Sequence, residues 1–207
     1  MSTFIALDLS TNTGYAIFKD TKLIKYDVFT RKVPGYKADV KSYKDFPKEY
    51  PINFLDTAEA IAEECIRVIQ ENKIDKVVIE HCEGAKQRLS QRLLEWTHFA
   101  LIQRLKALGI DFKYLLVHDW RDVVGCYLKR WPDYQKFNQK VRAAKKKATP
   151  TKSGMLIAKI DGKRVGPVNQ KKLSIIIANE KYGLEIKNDN MADAINLGRA
   201  AIELGLF

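Results

Sequence analysis

The first thirty residues alternate between apolar runs and short polar breaks. Phe4-Ile5-Ala6-Leu7 with Leu9 forms one apolar run and Tyr15-Ala16-Ile17-Phe18 a second, divided by Ser10-Thr11-Asn12-Thr13. Runs of this length, rich in branched and aromatic residues, predict strands over 3–9 and 14–19. KLIKYDVF at 22–29 alternates apolar and polar positions and predicts a third strand, giving an antiparallel meander. Residues 31–51, with three prolines and five lysines, read as an irregular loop.

The period then changes. Leu55, Ala58, Ile61, Ala62, Cys65 and Ile69 recur at helical spacing and predict a helix over 54–69. KVVIE at 76–80 reads as a short buried strand. A second helix over 88–108 ends at Gly109, a common residue just past a helix C-terminus. Trp96 and Phe99 on that helix read as core. DFKYLLV at 111–117 is a further strand, 119–127 a short helix, and 170–181 and 190–204 two more helices. Between them, MLIAKIDGKRV suits a hairpin turning at Asp161-Gly162. Three strands followed by strand–helix alternation predict an α/β fold. Its mixed five-stranded sheet is an antiparallel meander plus parallel strands, flanked by helices.

Composition adds little until charge is located. The chain has 207 residues, 46% hydrophobic and 29% charged, as expected for a single globular domain over 1–207. No run of about 18 apolar residues predicts a membrane span. The N-terminus lacks a basic region followed by an apolar segment, so no signal peptide is expected. Three widely spaced cysteines fit reduced thiols in a cytoplasmic setting. Of the net charge of +11, residues 129–172 hold 14 Lys/Arg against 2 Asp/Glu, with Trp131, Tyr134 and Phe137 interleaved. A basic segment of this kind suits a polyanion, because neutralised phosphates release counterions. Lys145, Lys146 and Lys147, its densest run, are expected to contact DNA phosphates.

Three carboxylates intrude into apolar elements. Asp8 interrupts the first strand, and Glu80 closes Val77-Val78-Ile79. An ionised carboxylate in such a place costs several kcal/mol unless it is paired. Functional groups in parallel sheets gather at the carboxyl ends of strands, where both residues lie. Asp193 lies inside the last helix, amid Met191, Ala192, Ala194 and Ile195, four residues after Asp189. Asp189 has a simpler role available as a helix cap. Converging carboxylates repel unless a cation intervenes. Hard oxygen donors select Mg²⁺ or Mn²⁺, and a pair of ions would clamp the attacking and leaving oxygens of a phosphodiester. Of the three histidines, His81 beside Glu80 is the one to watch.

IALDLSTNTGYAIF, VVIEHCEGAK and NDNMADAINLG, in that order, resemble the motifs of RuvC-type Holliday-junction resolvases of the RNase H-like superfamily, the phage-borne versions more than the compact bacterial ones. The resemblance covers approximately 3–30, 54–127 and 170–204, and against the family core it implies that 128–168 is a basic insertion in the domain. It implies an RNase H-like fold in a Mg²⁺-dependent endonuclease that cuts four-way or other branched DNA as a homodimer, in a bacterial host cytoplasm if phage-encoded. It implies that Asp8, Glu80 and Asp193 are metal-binding catalytic carboxylates, with Asp189 or Asn190 as a fourth ligand. It also implies DNA contacts from Lys86 and Arg121, and that Lys171 and Lys172 hold the scissile phosphate. The family's bacterial members carry an aromatic wedge three positions after the strand-end acid, where this chain has Glu83. Three other readings stand beside this one: an RNase or flap nuclease on the same fold, a branched-DNA-binding module without cleavage, and an actin-like ATPase or sugar kinase. The last needs a second phosphate loop and a much longer chain.

Overall fold

The computed structural model describes residues 2–35, 48–82, 88–148 and 155–207. The chain divides into two compact units, Met1–Val124 with Asn190–Phe207, and Gly125–Asp189. In the first unit, strands β1 (Thr3–Asp8), β2 (Asn12–Lys19) and β3 (Lys22–Thr30) form the antiparallel meander. Strand β4 (Lys76–Glu80) lies parallel to β1 on its other side, and β5 (Asp111–Leu115) parallel to β4. The sheet order is β3-β2-β1-β4-β5. The long connections between β3, β4 and β5 are helices α1 (Ile52–Glu71) and α2 (Arg88–Ala107), as parallel pairing requires.

Strand alternation assigns the two faces of the sheet. Ile5, Leu7, Ile17, Val77 and Ile79 share a buried cluster with Ile61, Cys65 and Ile69 of α1 and Leu101 and Leu105 of α2. Phe4, Ala6, Phe18 and Val78, of the opposite parity, are also fully or almost fully buried. They face helix α6 (Asp189–Glu203), whose Ala194, Gly198 and Ala201 are small enough for a close approach. A Cβ at Gly198 would stand 2.2 Å from the Phe18 ring, so glycine is required there. Phe18 in turn stacks on Phe4, ring centroids 5.1 Å apart.

Residues 117–123 form helix α3 (Val117–Val123) directly after β5, two residues earlier than the expected 119–127, because the strand ends at Leu115. Phe99 is 65% exposed rather than core, whereas Trp96 stacks against Tyr50. Cys65, Cys82 and Cys126 carry no disulfide.

In the second unit, the expected hairpin is present: β6 (Lys159–Ile160) pairs with β7 (Lys163–Arg164) around Asp161 and Gly162, both with positive φ. Helix α4 (Pro132–Lys146) precedes it, and α5 (Gln170–Tyr182) follows, capped by the Asn169 side chain. The periodicity of the sequence did not predict α4. Its only buried residues are Asn138 and Val141, too few to leave an apolar stripe. This unit holds 16 Lys/Arg against 5 Asp/Glu, which is the whole net charge of the chain.

Candidate active site

Asp8 and Glu80 end the adjacent parallel strands β1 and β4, one position beyond the Leu7–Ile79 pair. The Glu80 end is held in place because the His81 N–H donates to the Leu115 carbonyl at 2.8 Å. After Asp8 the chain reverses through a turn closed by its own hydroxyls. Thr13 donates to the Ser10 carbonyl at 2.6 Å, and Ser10 Oγ accepts from the Asn12 N–H at 3.0 Å.

Asp8 is paired across the ladder with Gly14. Directly opposed residues in an antiparallel pair project to the same face. A Cβ on Gly14 would lie 2.1 Å from the Asn190 carbonyl oxygen, so that face meets the first turn of α6. Asp8 therefore projects toward the helix that carries Asp193. Glu80, with the parity of Val78, projects to the same face.

Two consecutive residues of α3 address two of the carboxylates. Trp120, fully buried, donates its indole N–H to Glu80 Oε2 at 2.7 Å. The Arg121 guanidinium lies 3.8 Å from Asp193 Oδ2 and 5.0 Å from the Trp120 ring. Asp8 and Glu80 line one cavity of about 120 Å³ with Leu9, His81, Cys82, Leu94, His98 and Val117. At its edge the His98 Nδ1 is 2.8 Å from the Tyr114 hydroxyl. Burial pushes His98 down to about 4, with the charge of His81 acting in the same direction. Burial pushes Tyr114 up to about 12, so this pair is uncharged at neutral pH.

The donor set can be compared with the ion that the family resemblance implies. Two carboxylates on one cavity fit a hard divalent cation that keeps most of its waters. Among the described residues, no three His, Cys, Asp or Glu side chains are gathered closely enough to hold an ion. Asp193 is engaged with Arg121, and Asp189 is ion-paired with Lys171. The structure thus fits an ion at the Asp8–Glu80 pair and leaves the helix acids outside a preformed ligand set.

The remaining candidates are dispersed. Asn190 lies against Gly14 through its backbone carbonyl. Lys172 donates its backbone N–H to the Asn169 cap. Lys145 and Lys146 are in the last turn of α4, with Lys147 at its C-cap. Lys86 and Glu83 lie outside the described residues. Sequence reasoning passed over Trp120, His98, Tyr114 and Gly14. Gly14 carried a readable signal, being the one residue without a side chain in an otherwise bulky strand.

A five-stranded mixed sheet in the order 3-2-1-4-5, with acidic residues ending its two central parallel strands, defines the RNase H-like fold. It is in particular the fold of RuvC. The structure of Thermus thermophilus RuvC in complex with a Holliday junction substrate aligns over 100% of this chain and 96% of its own, with a TM-score of 0.56 and 11% identity. A second structure of Thermus thermophilus RuvC aligns over 99% of this chain and 96% of its own, with a TM-score of 0.55 and 12% identity. At this identity the likeness is one of fold. No protein-family model and no curated protein sequence matches the chain.

Proposed function

We propose that this chain is a Mg²⁺- or Mn²⁺-dependent DNA endonuclease that hydrolyses phosphodiesters in branched DNA, four-way junctions above all. The observation that carries the reading is the pair Asp8 and Glu80, side by side at the ends of parallel strands and facing one cavity within a RuvC-like fold. The whole-chain likeness to a RuvC solved with a Holliday junction supports the same substrate class. The concentration of all net positive charge in Gly125–Asp189 supports a polyanionic partner.

In this reading the chain is one nuclease domain in which residues at about 128–168 are a basic insertion for substrate contact. Asp8 and Glu80 hold the metal, Asp193 adds an oxygen from α6, and Asp189 or Asn190 supplies a fourth. When bound, one or two ions would activate water and neutralise charge on the scissile phosphate, leaving a 5′-phosphate by family resemblance. Trp120 fixes the orientation of Glu80, and Arg121 offsets the charge of Asp193 until substrate and metal arrive. Lys86, Lys171 and Lys172 contact the DNA backbone. A symmetric pair of cuts calls for a homodimer.

The test is incubation with a four-way junction, a flap, a duplex and an RNA–DNA hybrid, each with and without Mg²⁺. Metal-dependent, paired cuts in the junction are expected. Cutting of the hybrid or flap alone would instead make it an RNase or flap nuclease. A second reading, a branched-DNA-binding module without cleavage, is favoured by the absence of a gathered set of three acids among the described residues. Junction binding with no cutting in Mg²⁺ or Mn²⁺ would establish it.

A further inference from the structure

The second unit contains a groove of about 760 Å³ formed by one face of α4 and the segment entering β6. Lys140, Lys147 and Lys159 line it, together with Ala143, Ala144 and Ile157. No Asp or Glu does. Positions 140, 143, 144 and 147 recur at helical spacing, so α4 turns two lysines and a flat strip of alanine to the groove. Lys145 and Lys146 do not line it. The third lysine comes from the opposite side, on β6.

The groove is built on a hydrogen-bonded frame. Asn138, almost fully buried on α4, donates to the Val168 carbonyl and accepts from the Val168 N–H, both at 2.7 Å. The Val165 N–H donates to the Ala158 carbonyl at 3.0 Å. These bonds link Val168 to α4 and Val165 to Ala158, so the backbone that carries Lys159 is tied through the β6–β7 hairpin to the helix.

We infer that this groove binds the phosphodiester backbone of a nucleic acid, with Lys140, Lys147 and Lys159 each meeting a phosphate. For the identity of the polyanion, the inference rests on the proposed DNA-cleaving function. Three features favour a backbone over a compact anion. The lysines stand on two separate elements, the alanines leave room for a continuous chain, and the unit holds the entire net charge. Lysine acts as a point charge without the planar fork of arginine, which suits contact that ignores base sequence. The groove would supply affinity, and the carboxylates at β1 and β4 the chemistry.

The experiment compares two triple variants of equal net charge. One is Lys140→Gln/Lys147→Gln/Lys159→Gln in the groove. The other is Lys19→Gln/Lys22→Gln/Lys25→Gln, at exposed positions of β2 and β3 outside the basic segment. Circular dichroism checks that both fold. Binding to a labelled duplex and a labelled single strand is followed across a salt series without metal. The groove variant is expected to lower the slope of log K against log salt by up to about 2.7 on duplex, or about 2.1 on single strand. Whichever substrate shows the loss is the one the groove holds. The control variant should change the slope by less than about one third of that. Equal losses in both variants, or no loss in the groove variant, would overturn the inference. Cutting at saturating junction is measured separately with Mg²⁺. A wild type that never cuts but loses binding through the groove lysines removes the nuclease reading and keeps the groove, whereas normal binding by a groove variant that still cuts removes only the groove.

Discussion

The Trp120 indole N–H and Glu80 Oε2, 2.7 Å apart, join the first turn after β5 to the end of β4. Trp120 is fully buried, so its N–H must be satisfied, and the carboxylate beside it satisfies it. The bond holds one carboxylate oxygen of Glu80 at a defined position. Trp120→Phe keeps the aromatic volume and removes the donor. Hydrogen bonds to charged groups are worth roughly 1.5–3 kcal/mol, so kcat should fall by about 10- to 100-fold with KM nearly unchanged. A rise in KM with unaltered kcat would mean that Trp120 acts on substrate binding instead.

The carboxylates themselves should separate chemistry from affinity. Asp8→Asn and Glu80→Gln are each expected to lower cleavage by about 10² or more while leaving junction binding intact. Asp193→Asn should abolish cutting if α6 contributes a ligand. Asp189→Asn and Asn190→Ala should then differ in severity, and the more damaging one identifies the fourth position. Because Asp189 is paired with Lys171, its variant should also alter DNA affinity. Cleavage assays and gel-shift binding read the two effects independently. Near wild-type cutting by either strand variant would place the metal elsewhere.

Gly14 tests whether the approach of α6 to the sheet matters. A methyl at this position meets the Asn190 carbonyl at 2.1 Å, closer than any real Cβ contact. Gly14→Ala must push the first turn of α6 away from Asp8. Overpacking of this kind costs about 1–3 kcal/mol, and thermal unfolding should show it. Activity should fall further than that destabilisation explains, because Asp193 moves with the helix. An alanine variant with wild-type melting and wild-type activity would show that the helix adjusts without cost.

His98 makes stability depend on acid. Its ordinary value is 6.5, and burial holds it near 4 in the folded chain. Above about pH 6.5 it is neutral in both states and stability is complete. Between about 6.5 and 4 the unfolded chain takes up a proton that the folded chain refuses, so stability falls as pH falls, by at most on the order of 3 kcal/mol. Urea midpoints at about pH 7, 5.5 and 4.5 should decline more steeply for wild type than for His98→Gln. Parallel declines would show that His98 does not contribute.

The sheet was legible because its strands are apolar runs with polar breaks, and the two strand-end acids stood out as charges in those runs. Their adjacency required that β1 and β4 pair, which the sequence left open and the structure shows. What stayed hidden depended on contacts between distant segments. Nothing near Glu80 in the sequence points to Trp120. Lys171, read as a phosphate ligand, meets Asp189, which was itself a ligand candidate. Helix α4 escaped because a helix that buries only an asparagine and a valine leaves no apolar period. Phe99 misled in the opposite direction, an aromatic at helical spacing that faces outward.

The closeness of Gly14 to Asn190 also has a consequence for biosynthesis. The ribosome delivers β1 and β2 early, and α6 only after every other described element. Until then the sheet face bearing Phe4, Phe18 and Asp8 has no cover, and Asp193 has not been made. A domain assembled in that order exposes these apolar side chains to other chains until α6 docks, so the completed sheet is most prone to aggregate just before that helix packs against it.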